Sequence, residues 1–158
     1  MTHRARGFTL IELVVTVALV GILAMVAVPL GTLSVQRLRE GELRSSLRQI
    51  REALDAYKRA SDSGRIARRA DGSGYPQTLE ELEAGVVDAK NPNKTKIYFL
   101  RRLPRDPFFA DTSVPAAATW GKRSYASAPD MPMEGDDVFD VYSHSDRIGL
   151  NGIPLRDW

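Results

Sequence analysis

Glu12 is the side chain in this sequence that most needs an explanation. It is the only charge in the 23-residue block Phe8–Leu30, FTLIELVVTVALVGILAMVAVPL. A lone carboxylate in an apolar helix costs up to about 3 kcal/mol to insert into a bilayer, so it needs either a cation or a task. Elsewhere the residue types that do chemistry are sparse. His3 and His144 are the only histidines and there is no cysteine. That excludes a disulfide framework, a CxxC redox centre and thiolate zinc, and it leaves little material for a histidine-based metal or acid/base site. Ser143-His144-Ser145-Asp146 spells the letters of a catalytic triad, but triads are assembled from separate segments, and neighbouring residues of a strand point to opposite faces. No Walker loop, HExxH or EF-hand spacing occurs. Asp136 and Asp137 read as a solvated turn. Arg65, Arg68 and Arg69, in the Gly- and Ser-rich stretch 61–77, read as a solvated loop surface, so no nucleic-acid partner is expected.

The elements that must carry Glu12 follow from patterning. The 158 residues suffice for one core. As a helix, the block 8–30 reaches roughly 35 Å and spans a bilayer; it is longer than the apolar region of a signal peptide and has a poor small-x-small site. Gly21 and Pro29, followed by Gly31, weaken that helix, since glycine costs about 1 kcal/mol relative to alanine and proline lacks an N–H. A bend is expected there. Beyond Pro29, Leu43, Leu47, Ile50, Leu54 and Tyr57 recur at alternating four and three spacing, one apolar helical face. One helix of roughly 50 residues is therefore expected from Phe8 to near Arg59. Thr78-Leu79-Glu80-Glu81 reads as a capping box and Gly85 as a stop, giving a short helix 79–84. Ile97–Leu100, Arg123–Ser127 and Val138–Tyr142 read as strands of a small antiparallel sheet. Residues 108–119, FFADTSVPAAAT, read as an exposed loop. The fold class is α+β: a long N-terminal helix packed on a small antiparallel sheet head.

The residues around Glu12 carry a resemblance. Arg4-Ala5-Arg6-Gly7 followed by Phe8-Thr9-Leu10-Ile11-Glu12 resembles the prepilin-peptidase recognition motif of type IV pilins and type II secretion pseudopilins. The resemblance implies cleavage between Gly7 and Phe8 on the cytoplasmic side and N-methylation of the new Phe8 amine. Once Gly7 is removed, that amine is the only cation at the depth of Glu12, and a buried carboxylate needs one. The pair could form within one chain, since residues four apart share a helix face; in the family it forms between neighbouring subunits and fixes the register of assembly. Farther along, Tyr75-Pro76, Leu103-Pro104-Arg105-Asp106-Pro107, Trp120-Gly121, Phe139-Asp140-Val141-Tyr142-Ser143 and Trp158 follow the order of the major pseudopilin of type II secretion, with 108–119 inserted between Asp-Pro and Trp-Gly. In that family the terminal loop often holds calcium. Asp146 matches the first family aspartate and Ser143 precedes it, but Leu155 stands where the second aspartate is expected, so the resemblance carries only Asp146 and Ser143 toward calcium. The alternative is a loop held by packing of Ile148, Leu150, Ile153 and Trp158.

The resemblance divides the chain into a leader 1–7, a transmembrane half-helix 8–30, an amphipathic half-helix 31–60 and a periplasmic head 61–158. Charge bias opposes this orientation: Arg4 and Arg6 precede the span while Arg37, Arg39, Arg44 and Arg48 follow it, which by itself would put the head in the cytoplasm. The family's leader must meet a cytoplasm-facing peptidase, and that places the head in the periplasm. Residues 31–70 hold ten basic and five acidic side chains, and 130–158 hold two basic and seven acidic, an asymmetry that suits head-to-tail stacking of copies through groups such as Arg44 and Arg48. The expected function is structural rather than enzymatic: a single-pass inner-membrane subunit that polymerises into a periplasmic pseudopilus. Its implied partners are further copies, minor pseudopilins, the inner-membrane assembly platform and prepilin peptidase. A type IV or minor pilin for adhesion, motility or DNA uptake is the alternative in the same class, and a membrane-anchored binding or enzymatic domain is the alternative in another.

Overall fold

The computed structural model describes residues 8–69 and 72–158; within its long helix, the side chains of 26–31 are not among those described. Gly7 and the rest of the expected leader lie outside the described residues. Two compact units divide the chain, one ending at Leu38 and the other running from Arg39 to Trp158.

In the first unit, α1 (Leu10–Asp62, 53 residues) begins two residues later than the expected Phe8. Thr9 is the reason: its carbonyl accepts from the Leu13 N–H at 3.2 Å and its Oγ1 from the Glu12 N–H at 3.3 Å, so Thr9 caps the helix and Phe8 stands outside it. Gly21 lies within α1, with nothing within 4 Å of where a Cβ would stand. The side chain of Pro29 falls outside those described.

The second unit is built on the rest of α1. Leu43, Leu47, Ile50, Leu54 and Tyr57 are all buried, the face that the four-three spacing marks out. Burying each such side chain contributes roughly 1.5–3 kcal/mol. The helix stops in a Schellman motif: Gly64 takes φ +73°, its N–H donates to Ser61 O at 2.9 Å, and the Arg65 N–H donates to Ala60 O at 2.9 Å. A Cβ would oppose that left-handed backbone.

The short helix α2 (Glu80–Ala84) places Leu82 in the core and ends at Gly85, φ +74°. The expected capping box is only half realised. No side chain caps the N-terminus; instead Glu81 reaches back, Oε1 accepting from the Gln77 N–H at 3.1 Å, while its Oε2 accepts from the Tyr57 hydroxyl at 2.9 Å. The single expected sheet is two separate antiparallel ribbons. One pairs β1 (Val86–Val87) with β2 (Lys96–Ile97), where a strand 97–100 was expected. Its short span is explained by Phe99 and Leu100, whose N–H groups turn to Leu82 O at 3.0 and 2.9 Å. The other pairs β3 (Trp120–Arg123) with β4 (Asp140–Ser143), Trp120 opposite Ser143 and Gly121 opposite Tyr142. β3 lies three residues before the expected 123–127. Gly121 does not break it, because the space over Gly121 is filled by the Tyr142 ring.

The segment 108–119 is only partly the exposed loop expected. Residues 110–113 are exposed, but Ala117 and Thr119 are buried, since the one-turn helix Ala116–Thr119 leads directly into β3. The core gathers Leu43, Ile50 and Leu54 of α1, Leu79 and Leu82, Trp120 and Val141 of the β3/β4 ribbon, and Leu155.

Candidate functional site

From Phe8 to Met25 every side chain of the first unit is exposed: Leu10 82%, Ile11 72%, Val20 64% and Met25 80%. A helix apolar all round has no stable state facing water, so lipid or other helices must cover it. Among the described residues no helix is long and apolar enough to cross a membrane; the expected span 8–30 includes 26–30, whose side chains are outside those described. Glu12 sits in the first turn of α1, where a carboxylate faces the positive end of the helix dipole. Since Phe8 precedes the helix, the shared-face argument for an amine–Glu12 pair within one chain does not apply to this backbone.

In the second unit the polar centre is Asp106. It is 3% exposed, yet both its oxygens are satisfied: Oδ2 accepts from the Ser143 hydroxyl at 2.5 Å and Oδ1 from the Phe108 N–H at 2.8 Å. The Asp106 N–H donates to Thr119 Oγ1 at 3.1 Å, and that hydroxyl donates to Ala116 O at 2.6 Å. Ser143 and Thr119 are both fully buried. This network fastens 104–108, the one-turn helix and β4 together. Its linked positions are separated by 13 and 37 residues, so no local pattern announces it.

The two residues singled out for calcium are thereby placed. The Ser143 hydroxyl serves Asp106, and its Oγ accepts from the Ser145 N–H at 3.1 Å. Asp146 is exposed and pairs with Arg156, Oδ1 to Nη1 at 3.2 Å. Leu155, where a second carboxylate was expected, is 1% exposed in the apolar core. Calcium needs six to eight oxygens, and among the described residues no group of three or more His, Asp or Glu is gathered to hold a metal. These residues do not fit a calcium ion.

The triad letters also separate. Ser143 is taken by Asp106, Asp146 by Arg156, and His144 packs against the rings of Tyr142 and Phe109 at 5.8 and 6.2 Å. Asp137 is more than a solvated turn, since Oδ1 accepts from the Tyr125 N–H at 2.8 Å. Arg65 is likewise engaged: its Nε and Nη2 reach Asp88 Oδ2 at 3.0 and 2.6 Å and hold that carboxyl below the usual range. No local pattern pairs Arg51 with Asp140, yet Nε meets Oδ1 at 2.8 Å, and Arg123 approaches the other oxygen at 3.4 Å. Asp140 belongs to the acidic segment offered for stacking between copies, but its charge is answered inside the chain, and Arg44 lies over the Trp158 ring at 4.3 Å.

Comparison with known proteins gives these features a family. Residues 2–28 match the model described as the prokaryotic N-terminal methylation motif. Over 160 aligned residues, covering 96% of this chain and 97% of the relative, the sequence is 31% identical to type II secretion system core protein G of Dickeya chrysanthemi. It is 30% identical to the protein of the same name from Klebsiella michiganensis, over 84% of this chain and 90% of the relative, and 33% identical to that of Vibrio cholerae, over 69% of each. No solved structure gives a significant match. With 31% identity over nearly the whole of both sequences, this chain belongs to the family of type II secretion system core protein G.

Proposed function

We propose that this chain is a structural subunit of the type II secretion pseudopilus, supporting protein export across the outer membrane by polymerising and carrying out no catalysis. The observation that carries the reading is the exposed apolar surface of Phe8–Met25, joined to a sequence match to the N-terminal methylation motif. In this reading prepilin peptidase cuts after Gly7 and Phe8 is N-methylated. The segment 8–30 anchors the subunit once through the inner membrane with the head in the periplasm, and Gly21 and Pro29 let it extend on packing. Copies of the chain, minor pseudopilins and the inner-membrane assembly platform are the partners.

Assembly moves the apolar helix out of lipid and into a bundle of like helices. Lipid tails are as apolar as leucine, so that transfer has little hydrophobic drive. The step is selected by a polar contact instead: Glu12 of one subunit meets the Phe8 amine of the next, sparing both charges an unpaired burial. The test is Glu12→Ala and Glu12→Gln in a strain that makes pseudopili. Both variants are expected to be cut and methylated normally while filament yield falls at least tenfold. Filament yield equal to wild type would refute the role of Glu12.

A further inference from the structure

We infer that the terminal segment 144–158 is fastened to the rest of the head by a metal-independent clamp of side chains from α1, so that the fold of the head does not respond to calcium. The inference concerns the head alone and stands or falls separately from the pseudopilus reading.

Three residues of α1 make the clamp. Glu40, 5% exposed, accepts the Leu150 N–H on Oε1 at 2.9 Å. Arg44 stacks over the Trp158 ring. Arg51 spreads its fork over three acceptors: Nε to Asp140 Oδ1 at 2.8 Å, and Nη2 to Val141 O at 3.2 Å and Trp158 O at 2.8 Å. Spacings of four and seven residues place 40, 44 and 51 along one side of the helix, beside the buried 43-47-50-54 face. One guanidinium thus joins β4 to the last residue described, a task a bound cation would otherwise perform by drawing carboxylate and carbonyl oxygens together.

The segment is also closed on itself. Ile148 bridges Pro154, the Gly149 N–H donates to Ile153 O and the Leu155 N–H to Arg147 O, both at 2.9 Å, and Gly152 turns the chain at φ +79°. A Cβ at Gly149 would stand 2.5 Å from Trp158 Cζ2, so the ring is seated directly on the turn. Leu155 adds an apolar plug where a carboxylate would have to be desolvated. The arrangement leaves a cation no work: Asp146 has Arg156, Asp140 has Arg51 and Arg123, and Ser143 and Asp106 have each other.

The experiment is thermal unfolding of the full chain in detergent micelles, in excess EDTA and in millimolar calcium chloride, for wild type and Arg51→Met, which keeps the apolar stem and removes the fork. Wild type is expected to melt at the same temperature in both buffers, and Arg51→Met about 4–8 °C lower in both. A wild-type midpoint raised by calcium, or a variant midpoint unchanged from wild type, would overturn the inference. Hydrogen exchange on wild type in EDTA decides the matter should the variant not fold: the Gly149, Leu150 and Leu155 amides are expected to be protected to the same degree as in calcium, and protection that appears only with calcium would defeat the clamp.

Discussion

Replacing Asp106 by alanine should be among the most damaging single changes in the head. The carboxylate is buried and accepts two hydrogen bonds, from the fully buried Ser143 hydroxyl at 2.5 Å and from the Phe108 N–H at 2.8 Å. Alanine strands both donors. A buried donor left unsatisfied costs about 1–3 kcal/mol, and these bonds are charge-assisted, so the expected loss is about 3–5 kcal/mol. For a unit of this size each kcal/mol lowers the midpoint by about 3–5 °C, so Asp106→Ala should melt roughly 10–20 °C below wild type. Asp106→Asn keeps an acceptor and should lose about half as much. Circular dichroism of the full chain in detergent, by heat and by urea, gives the numbers. In a double-mutant cycle with Ser143→Ala the pair should couple by about 1–3 kcal/mol. A loss below about 1 kcal/mol for Asp106→Ala, or additivity in the cycle, would refute the network as the fastening of the head.

Further outcomes follow from the same geometry. Tyr57 donates to Glu81, and burial first, then that carboxylate, push its phenol well above the ordinary 10. The stability it contributes is present below pH 10 and is lost as pH rises toward the folded value, so Tyr57→Phe should cost about 1–2 kcal/mol at pH 7 and flatten the alkaline limb of a stability–pH curve. Asp88 is held below its usual range chiefly by the hydrogen bonds from Arg65. The contribution is present above the unfolded carboxyl value and disappears as pH falls through the lower folded one. Asp88→Asn should therefore melt nearer to wild type at pH 3 than at pH 7.

The helix was legible because its signal is repeated: Leu43, Leu47, Ile50, Leu54 and Tyr57 restate one period, and every one is buried. The leader motif was legible because it is contiguous, and relatives aligned over most of the chain bear it out. Strand limits were misread where a single residue type was overruled by its partner. The expected strand 123–127 starts too late because Gly121 belongs to β3, where the Tyr142 ring opposite leaves no room for a Cβ. Likewise 108–119 has the composition of an exposed loop, yet its last residues are held inward by a partner outside it, the Asp106 N–H donating to Thr119 Oγ1 at 3.1 Å. The Asp106–Ser143 and Arg51–Asp140 contacts span 37 and 89 residues. Each member alone has the letters of a surface residue, so pairing them requires the fold. Thr9 hid in plain view: Thr-Leu-Ile-Glu has the spacing of a capping box, but the family motif absorbs the same letters.

The central claim is that this chain is a processed, polymerising subunit, and the most direct measurement is the intact mass and N-terminal sequence of the protein purified from native membranes. A start at N-methylated Phe8, with Met1–Gly7 gone, is the result the account predicts. An uncut chain beginning at Met1 would contradict it, because the Phe8 amine that Glu12 is proposed to meet in the neighbouring subunit would not exist.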